Sequence, residues 1–193
     1  MNKRQYSSLV SAILLICAIP IALAQPSSTA NEKPALTNTV TISVTDVGWI
    51  DKNHMEQEAG RINKLTLAKI GTPIRRDLSD LDTLQKLLDN NLVAQADYKT
   101  QQAMGIVLGN IMQADFPTAL EWKIYEDSLG RSRALCVKGT SECLFPITML
   151  SRRMELGNKP DVKKIYANAI LLMEKYLPQL PYGGGIYYQL PRR

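Results

Sequence analysis

Histidine is almost absent from this chain. His54 is the only one in 193 residues, yet histidine is the side chain used most often for acid-base and nucleophilic catalysis near neutral pH. Glu56 and Glu58 follow it, but no H-E-x-x-H or other paired ligand spacing surrounds it. We therefore predict a solvated or helix-capping histidine rather than part of a catalytic or metal site.

Cofactor signatures are missing as well. The chain contains no phosphate-binding glycine loop, no dinucleotide fingerprint and no zinc-binding cysteine pattern. We expect no cofactor and no metal, and the sequence identifies no catalytic residue.

The chain also lacks a concentrated charge. Its formal net charge is +5, and loss of Lys3 and Arg4 with an N-terminal leader lowers this to +3. A charge of this size keeps a surface soluble but does not create the field that binds nucleic acid. We expect no nucleic-acid partner.

The N-terminus has the parts of a secretory signal peptide. Two basic residues precede a mostly apolar stretch over residues 9–23, and Ala22 and Ala24 supply the small side chains of a cleavage site. We predict a cleaved signal peptide over residues 1–24 and a periplasmic or secreted mature protein.

A membrane anchor and a lipoprotein are the alternatives. The apolar stretch is shorter than the roughly 20 residues that span a bilayer and contains Pro20. Cys17 would be the acylated residue of a lipoprotein, but Ile16 precedes it where a small residue is needed. We expect no stable membrane anchor after cleavage, and the oligomeric state stays open.

Two cysteines remain after the leader. Cys136 and Cys143 flank six residues whose centre is typical of a turn between two apolar runs. Opposite positions of an antiparallel hairpin lie about as far apart as a disulfide reaches. The spacing fits neither a C-x-x-C redox motif nor a zinc knuckle. We predict a structural disulfide, as is common in exported proteins.

Composition divides the mature chain into three parts. Residues 25–39 are rich in small polar residues and contain two prolines, which is typical of a flexible linker. Residues 40–182 suffice for one buried core, so we predict a single domain. Residues 183–193 start with three glycines and end in aromatic and basic residues, and they predict a flexible tail.

Apolar periodicity and capping residues predict four helices. Three precede the predicted strands and one amphipathic helix follows them. The starts are expected at Asp51, at Ser79 or Asp80, at Asp97, and near Pro160.

Turn signals predict a three-stranded antiparallel meander over residues 119–126, 131–138 and 143–150. Pro146 cannot donate to a strand ladder, so we expect it at an edge or a bulge. Alternating β-branched residues over 40–45 predict another short strand, or an extended segment. The predicted fold class is α+β, a three-stranded antiparallel meander packed by N-terminal helices and a C-terminal amphipathic helix.

The turns also predict which side chains share a face of the meander. One face is expected to carry Trp122, Ile124, Leu135 and Leu144, and the other Tyr125, Ala134, Cys136, Cys143 and Phe145.

Two glycines interrupt the third predicted helix. Gly105 and Gly109 lie one turn apart, and each costs up to about 1 kcal/mol of helix propensity relative to alanine. We predict that a neighbouring element packs closely against them, with a ligand-facing surface as the alternative.

Charged residues near the meander form the candidate binding patch. Arg131, Arg133, Arg152 and Arg153 are expected to gather as an anion-binding surface at one end of the sheet, beside Tyr125, Glu126 and Asp127. Glu126 and Asp127 are adjacent on a strand and point to opposite faces, so they do not converge as an acid-base pair. We expect Glu126 to form a cross-strand ion pair with Arg131.

Several short motifs occur here in an order that resembles a known bacterial family, the domain of unknown function 3806. They are Gly105-Ile106-Val107-Leu108-Gly109, Trp122, Tyr125-Glu126-Asp127, Gly130-Arg131, Ala134-Leu135, Leu144-Phe145-Pro146 and Ser151-Arg152-Arg153. The resemblance covers roughly residues 49–182. It implies an exported member of the family, in the envelope or secreted, and it brings no activity, cofactor or catalytic residue.

These observations predict a noncatalytic binding or interaction module of the cell envelope, with an envelope protein or an anionic ligand as its partner. One alternative is an enzyme acting on envelope or cell-wall substrates through Glu126 or Asp127. Another is a structural accessory protein that docks through its C-terminal tail.

Overall fold

The computed structural model describes residues 42–178, which form five α-helices and a four-stranded antiparallel sheet. In chain order these are β1 (Ser43–Asp46), α1 (Trp49–Ile70), α2 (Asp80–Asp89), α3 (Tyr98–Asp115), β2 (Leu120–Asp127), β3 (Gly130–Val137), β4 (Cys143–Leu144), α4 (Pro146–Glu155) and α5 (Val162–Met173). A 3₁₀ turn, Glu174–Tyr176, follows α5. The α+β class is confirmed. The predicted leader, linker and tail lie outside the described residues.

The sheet has four strands in the order β1-β2-β3-β4, so the prediction of three was wrong. The additional strand is β1, which pairs with β2 from Ser43 opposite Glu126 to Asp46 opposite Lys123. Its alternating β-branched residues favour a strand, but the sequence does not reveal which neighbour it pairs with.

The third predicted strand was too long. β4 ends at Leu144, and Pro146 starts α4 instead of lying at an edge or a bulge of the sheet. Proline suits the first turn of a helix because the N–H that it lacks has no partner within the helix there. The apolar residues after Pro146 therefore follow the helical period.

The predicted faces of the sheet are confirmed by the strand register. Trp122 lies opposite Leu135, which lies opposite Leu144, while Cys136 lies opposite Cys143 on the other face. The Cys136–Cys143 disulfide is confirmed and joins β3 to β4. Phe145 follows β4 and packs edge-on against Tyr125, with ring centroids 5.2 Å apart.

Side-chain hydrogen bonds cap the starts of two of the five described helices, at Asp97 for α3 and at Asp161 for α5. The Asp97 carboxylate accepts a hydrogen bond from the Thr100 backbone N–H at 3.0 Å, which confirms Asp97 as the cap of α3. Asp51 does not cap α1, because α1 starts at Trp49 and places Asp51 in its first turn. Gly71 ends α1 in the left-handed conformation, with φ +73°.

The α3 helix is the centre of the domain, and most of its side chains are buried. Gly105 and Gly109 allow two neighbours to approach it closely, as predicted. A Cβ at Gly105 would lie 2.5 Å from the Ile147 Cα atom in α4, and one at Gly109 would overlap the Trp122 indole of β2. The helix is thus in direct contact with α4 on one turn and with the sheet on the next.

Among residues 42–178, no helix combines the length and the apolar character needed to cross a membrane.

Candidate functional site

A hollow of about 830 Å³ with a mixed polar and apolar lining lies where β1, α1, α3 and β2 meet. We call it the Trp122 groove. Its lining consists of Asp46, Val47, Lys52, Met55, Glu56, Arg76, Asn110, Gln113, Ala114, Pro117, Glu121 and Trp122. A second hollow of about 440 Å³ shares Arg76 and Ala114 with it and extends along α3 to Asp115.

The floor of the groove depends on the last turns of α3. Asn110 and Gln113 are three positions apart and therefore lie on the same side of the helix. The Trp122 Nε1–H donates a hydrogen bond of 2.9 Å to Asn110 Oδ1, which orients both side chains. Because Gly109 has no side chain, the indole can lie directly against α3.

One wall of the groove combines α1 with the loop before α2. Arg76 Nη2 lies 3.1 Å from Glu56 Oε1 of α1. Arg76 has a φ of +64°, an uncommon conformation for a residue with a side chain. The buried Asp80 carboxylate holds the loop in this shape by accepting hydrogen bonds from the Arg75 and Arg76 backbone N–H groups at 3.0 and 2.6 Å.

Lys123 of β2 lies outside the groove lining, on the face of the strand opposite Trp122, and it engages two carboxylates of residues in that lining. Lys123 Nζ lies 2.6 Å from Asp46 Oδ1 and 2.9 Å from Glu121 Oε1. The hydrogen bond with Asp46, followed by that with Glu121, raises the pKa of the Lys123 ammonium. The hydrogen bond from Lys123 lowers the pKa of the Asp46 carboxyl. Asp46 and Lys123 are therefore both charged at neutral pH, and they neutralise one another in part.

The arginines of β3 are engaged by Asp51. Arg131 Nη2 and Arg133 Nε donate to the two carboxylate oxygens of this buried residue, at 2.5 and 2.8 Å. The hydrogen bond from Arg131 is the main reason that the pKa of the Asp51 carboxyl is lowered, and Arg133 adds to it. Glu126 lies opposite Arg131 as the turn predicts, but the guanidinium hydrogen-bonds to Asp51 instead.

The other two arginines lie elsewhere. Arg152 and Arg153 are exposed in the last turn of α4, where Arg153 donates to the Met149 carbonyl. Arg131 and Arg133, in contrast, lie on β3 and pair with Asp51. The anion-binding patch stays a prediction.

The two candidate carboxylates of β2 are at its exposed end. Glu126 is exposed, and the Asp127 carboxylate accepts a hydrogen bond of 2.8 Å from the Leu129 backbone N–H within the turn. As neighbours on one strand they point to opposite faces of the sheet. His54 is exposed on α1. In the described part of the chain, no three histidine, cysteine or acidic side chains are arranged to hold a metal ion.

Sequence reasoning missed most of the groove. Trp122 was placed on the correct face, but Lys52, Asn110 and Gln113 were not singled out. The available signal was local: two amide side chains at helical spacing near the end of an otherwise apolar helix. Nothing local indicates that the start of α1 and the end of β1 lie beside them.

Comparisons with known proteins establish the family and the fold. Residues 80–166 match the family described as Domain of unknown function (DUF3806), a narrower range than residues 49–182 expected above. A crystal structure from Bacteroides thetaiotaomicron is similar, with a TM-score of 0.60 and 16% identity over 67% of this chain and 47% of that chain. This chain thus spans about half the length of that protein, and so low an identity shows the fold alone. No curated protein matches the chain.

Proposed function

This chain belongs, through residues 80–166, to the family described as Domain of unknown function (DUF3806), and because that description gives no function we propose a role from the geometry of the structure. The protein is an exported, noncatalytic binding module of the bacterial cell envelope. Its ligand occupies the Trp122 groove.

The observation that carries the proposal is the contrast between the carboxylates and the amides of the groove. Asp46 and Glu121 are paired with Lys123, and Glu56 is paired with Arg76. Each of these carboxylates is already engaged by a cation, which leaves it less available to act as a general acid or base on a ligand.

The amides, in contrast, have hydrogen-bonding capacity to spare. Asn110 accepts from Trp122 through Oδ1, which leaves its amide nitrogen as a donor. Gln113 is half-buried at the groove, and its side-chain amide has no hydrogen-bond partner among residues 42–178. Such groups recognise a ligand without reacting with it.

The two alternatives from the sequence have less support. For an enzyme acting through Glu126 or Asp127, β2 directs the two carboxylates to opposite sides of the sheet, so they do not form an acid-base pair. The C-terminal tail, through which an accessory protein would dock, lies outside the described residues.

Export is tested first. Cells that express the full chain are separated into cytoplasmic, membrane, periplasmic and medium fractions, and the N-terminus of the accumulated protein is sequenced. We expect periplasmic or secreted protein that begins at Gln25. Protein that keeps residues 1–24 and stays in the cytoplasm would contradict the proposal.

Binding is tested by crosslinking the mature protein in a bacterial envelope fraction under non-reducing conditions. The groove variant is Lys52→Ala with Gln113→Ala, because no hydrogen bond or ion pair within the described residues involves either side chain. The comparison variant is Arg152→Ala with Arg153→Ala, which also tests the arginine patch. Thermal unfolding of each variant confirms that it folds.

We expect a component that the parent and the arginine variant capture and the groove variant loses. A component lost only in the arginine variant would move the site to α4 and overturn the assignment to the groove. Equal capture by all three proteins, or capture by none, would also overturn it.

A further inference from the structure

We propose that the Trp122 groove binds an uncharged oligosaccharide. This inference rests on the proposed function and specifies its ligand class. It follows from the charge balance of the groove, from its amide groups and from the position of an exposed tryptophan.

The charges that line the groove nearly cancel. Asp46, Glu56 and Glu121 bring three acidic residues to the lining, and Lys52 and Arg76 bring two basic ones. Lys123, on the face of β2 opposite Trp122, offsets part of the charge of Asp46 and Glu121. An anionic ligand would meet the carboxylates, and a cationic ligand would compete with Lys123 and Arg76 for partners they already have. The groove therefore has no net field that favours a charged ligand.

A neutral polyol suits this lining better. Each sugar hydroxyl both donates and accepts hydrogen bonds. It can therefore hydrogen-bond to a carboxylate or an ammonium group without displacing the ionic partner of that group. The Asn110 amide nitrogen and both ends of the Gln113 amide are available for the same purpose. The hollow is about 830 Å³, within the range of small-ligand sites. The second hollow, which adjoins it at Arg76 and Ala114, gives a chain of sugar rings room to extend along α3.

An exposed aromatic residue lies on the same stripe of α1 as two residues of the groove lining. Trp49 is 77% exposed in the first turn of α1. Its spacing to Lys52 and Glu56, three and seven positions, places it on the helix stripe that lines the groove. An indole offers a flat apolar face with a polar edge, which matches the C–H face and the hydroxyl rim of a pyranose ring. Burial of so large an apolar side chain on binding also explains why it is tolerated on the surface.

The test is an array of neutral, acidic and basic oligosaccharides, probed with the mature protein. A matched pair isolates the effect of charge: the tetramer of N-acetylglucosamine, which is neutral, and its de-N-acetylated form, which is cationic below neutral pH. Affinity for a retained sugar is then measured by titration calorimetry. The variants are Gln113→Ala and Trp49→Ala.

Matched controls come from the other end of α3. Gln102→Ala removes an exposed amide and Tyr98→Ala removes an exposed aromatic ring, both outside the groove. We expect neutral sugars to be retained, and the affinity to fall at least tenfold in Gln113→Ala and Trp49→Ala but less than twofold in the controls.

Retention of charged sugars alone, or equal losses in groove and control variants, would overturn the inference. So would retention of no sugar at all. If the array retains no sugar but a component is still crosslinked in the envelope fraction through the groove, the proposed binding function is supported and the ligand is of another class, such as a protein. If neither a sugar is retained nor a groove-dependent component is crosslinked, the proposed function is contradicted as well.

Discussion

Arg133 of β3 donates a hydrogen bond of 2.8 Å from Nε to Oδ1 of Asp51 in the first turn of α1. The two residues are 82 positions apart in the chain. The contact fixes the start of α1, whose next turn supplies Lys52, Met55 and Glu56 to the Trp122 groove. The arginines of β3 therefore stabilise the fold around the groove.

The first prediction concerns Asp51→Asn. The substitution keeps an oxygen acceptor but removes the charge that Arg131 and Arg133 share, so we expect a loss of about 1–3 kcal/mol in the free energy of unfolding. Urea denaturation followed by circular dichroism measures it. Asp82→Asn is the control because it removes a surface ion pair with Lys163, and it should cost less than about 1 kcal/mol. Equal losses would contradict the role of Asp51.

The second prediction is the pH dependence of the same contact. The folded pKa of Asp51 is lowered, chiefly by the hydrogen bond from Arg131. Its contribution to stability is therefore complete above its unfolded pKa of about 3.8 and is lost as the pH falls through the lower folded value. Between about pH 5 and pH 2.5 the parent should lose more stability than Asp51→Asn. If the unfolding free energies of the two proteins change in parallel with pH, the folded pKa of Asp51 is not lowered.

The third prediction compares glycines within helices. Gly105→Ala places a methyl group 2.5 Å from the Ile147 backbone, which cannot move without shifting α4. We expect a loss of about 1–3 kcal/mol, typical of overpacking. Gly60→Ala, inside α1, meets no atom within 4 Å and should instead gain about 0.5–1 kcal/mol from helix propensity. Thermal denaturation of both variants checks the sign, and a stabilised Gly105→Ala would refute the close packing.

The fourth prediction concerns the disulfide. Replacement of Cys136 and Cys143 by serine should lower the free energy of unfolding by about 2.5 kcal/mol, from the chain entropy of the loop that the bond closes. Chemical denaturation of the oxidised parent, the reduced parent and the double variant measures the effect. The reduced parent and the variant should agree closely. An oxidised parent no more stable than either would show that the bond does not stabilise the fold.

Prediction from sequence succeeded where the signal is local. Asp97 caps α3 because a side chain three residues before a backbone N–H can reach it in any fold. The pairing of Cys136 with Cys143 follows from a short turn in the same way. Prediction from sequence failed at Pro146, because proline suits both the edge of a sheet and the first turn of a helix. Contacts with α3 at Gly105 favour the helix there, and they are not local.

The sequence by itself determined the α+β class, the faces of the strands and the disulfide, because alternation, helical period and turn chemistry act over a few residues. Only the tertiary structure decided that Asp51 binds the β3 arginines and that β1 joins the sheet. It also decided that Asp46 and Lys123, 77 positions apart, pair across β1 and β2 on the face of the sheet opposite Trp122. Those contacts depend on how elements pack around α3, and packing is set by burial of the whole apolar surface at once.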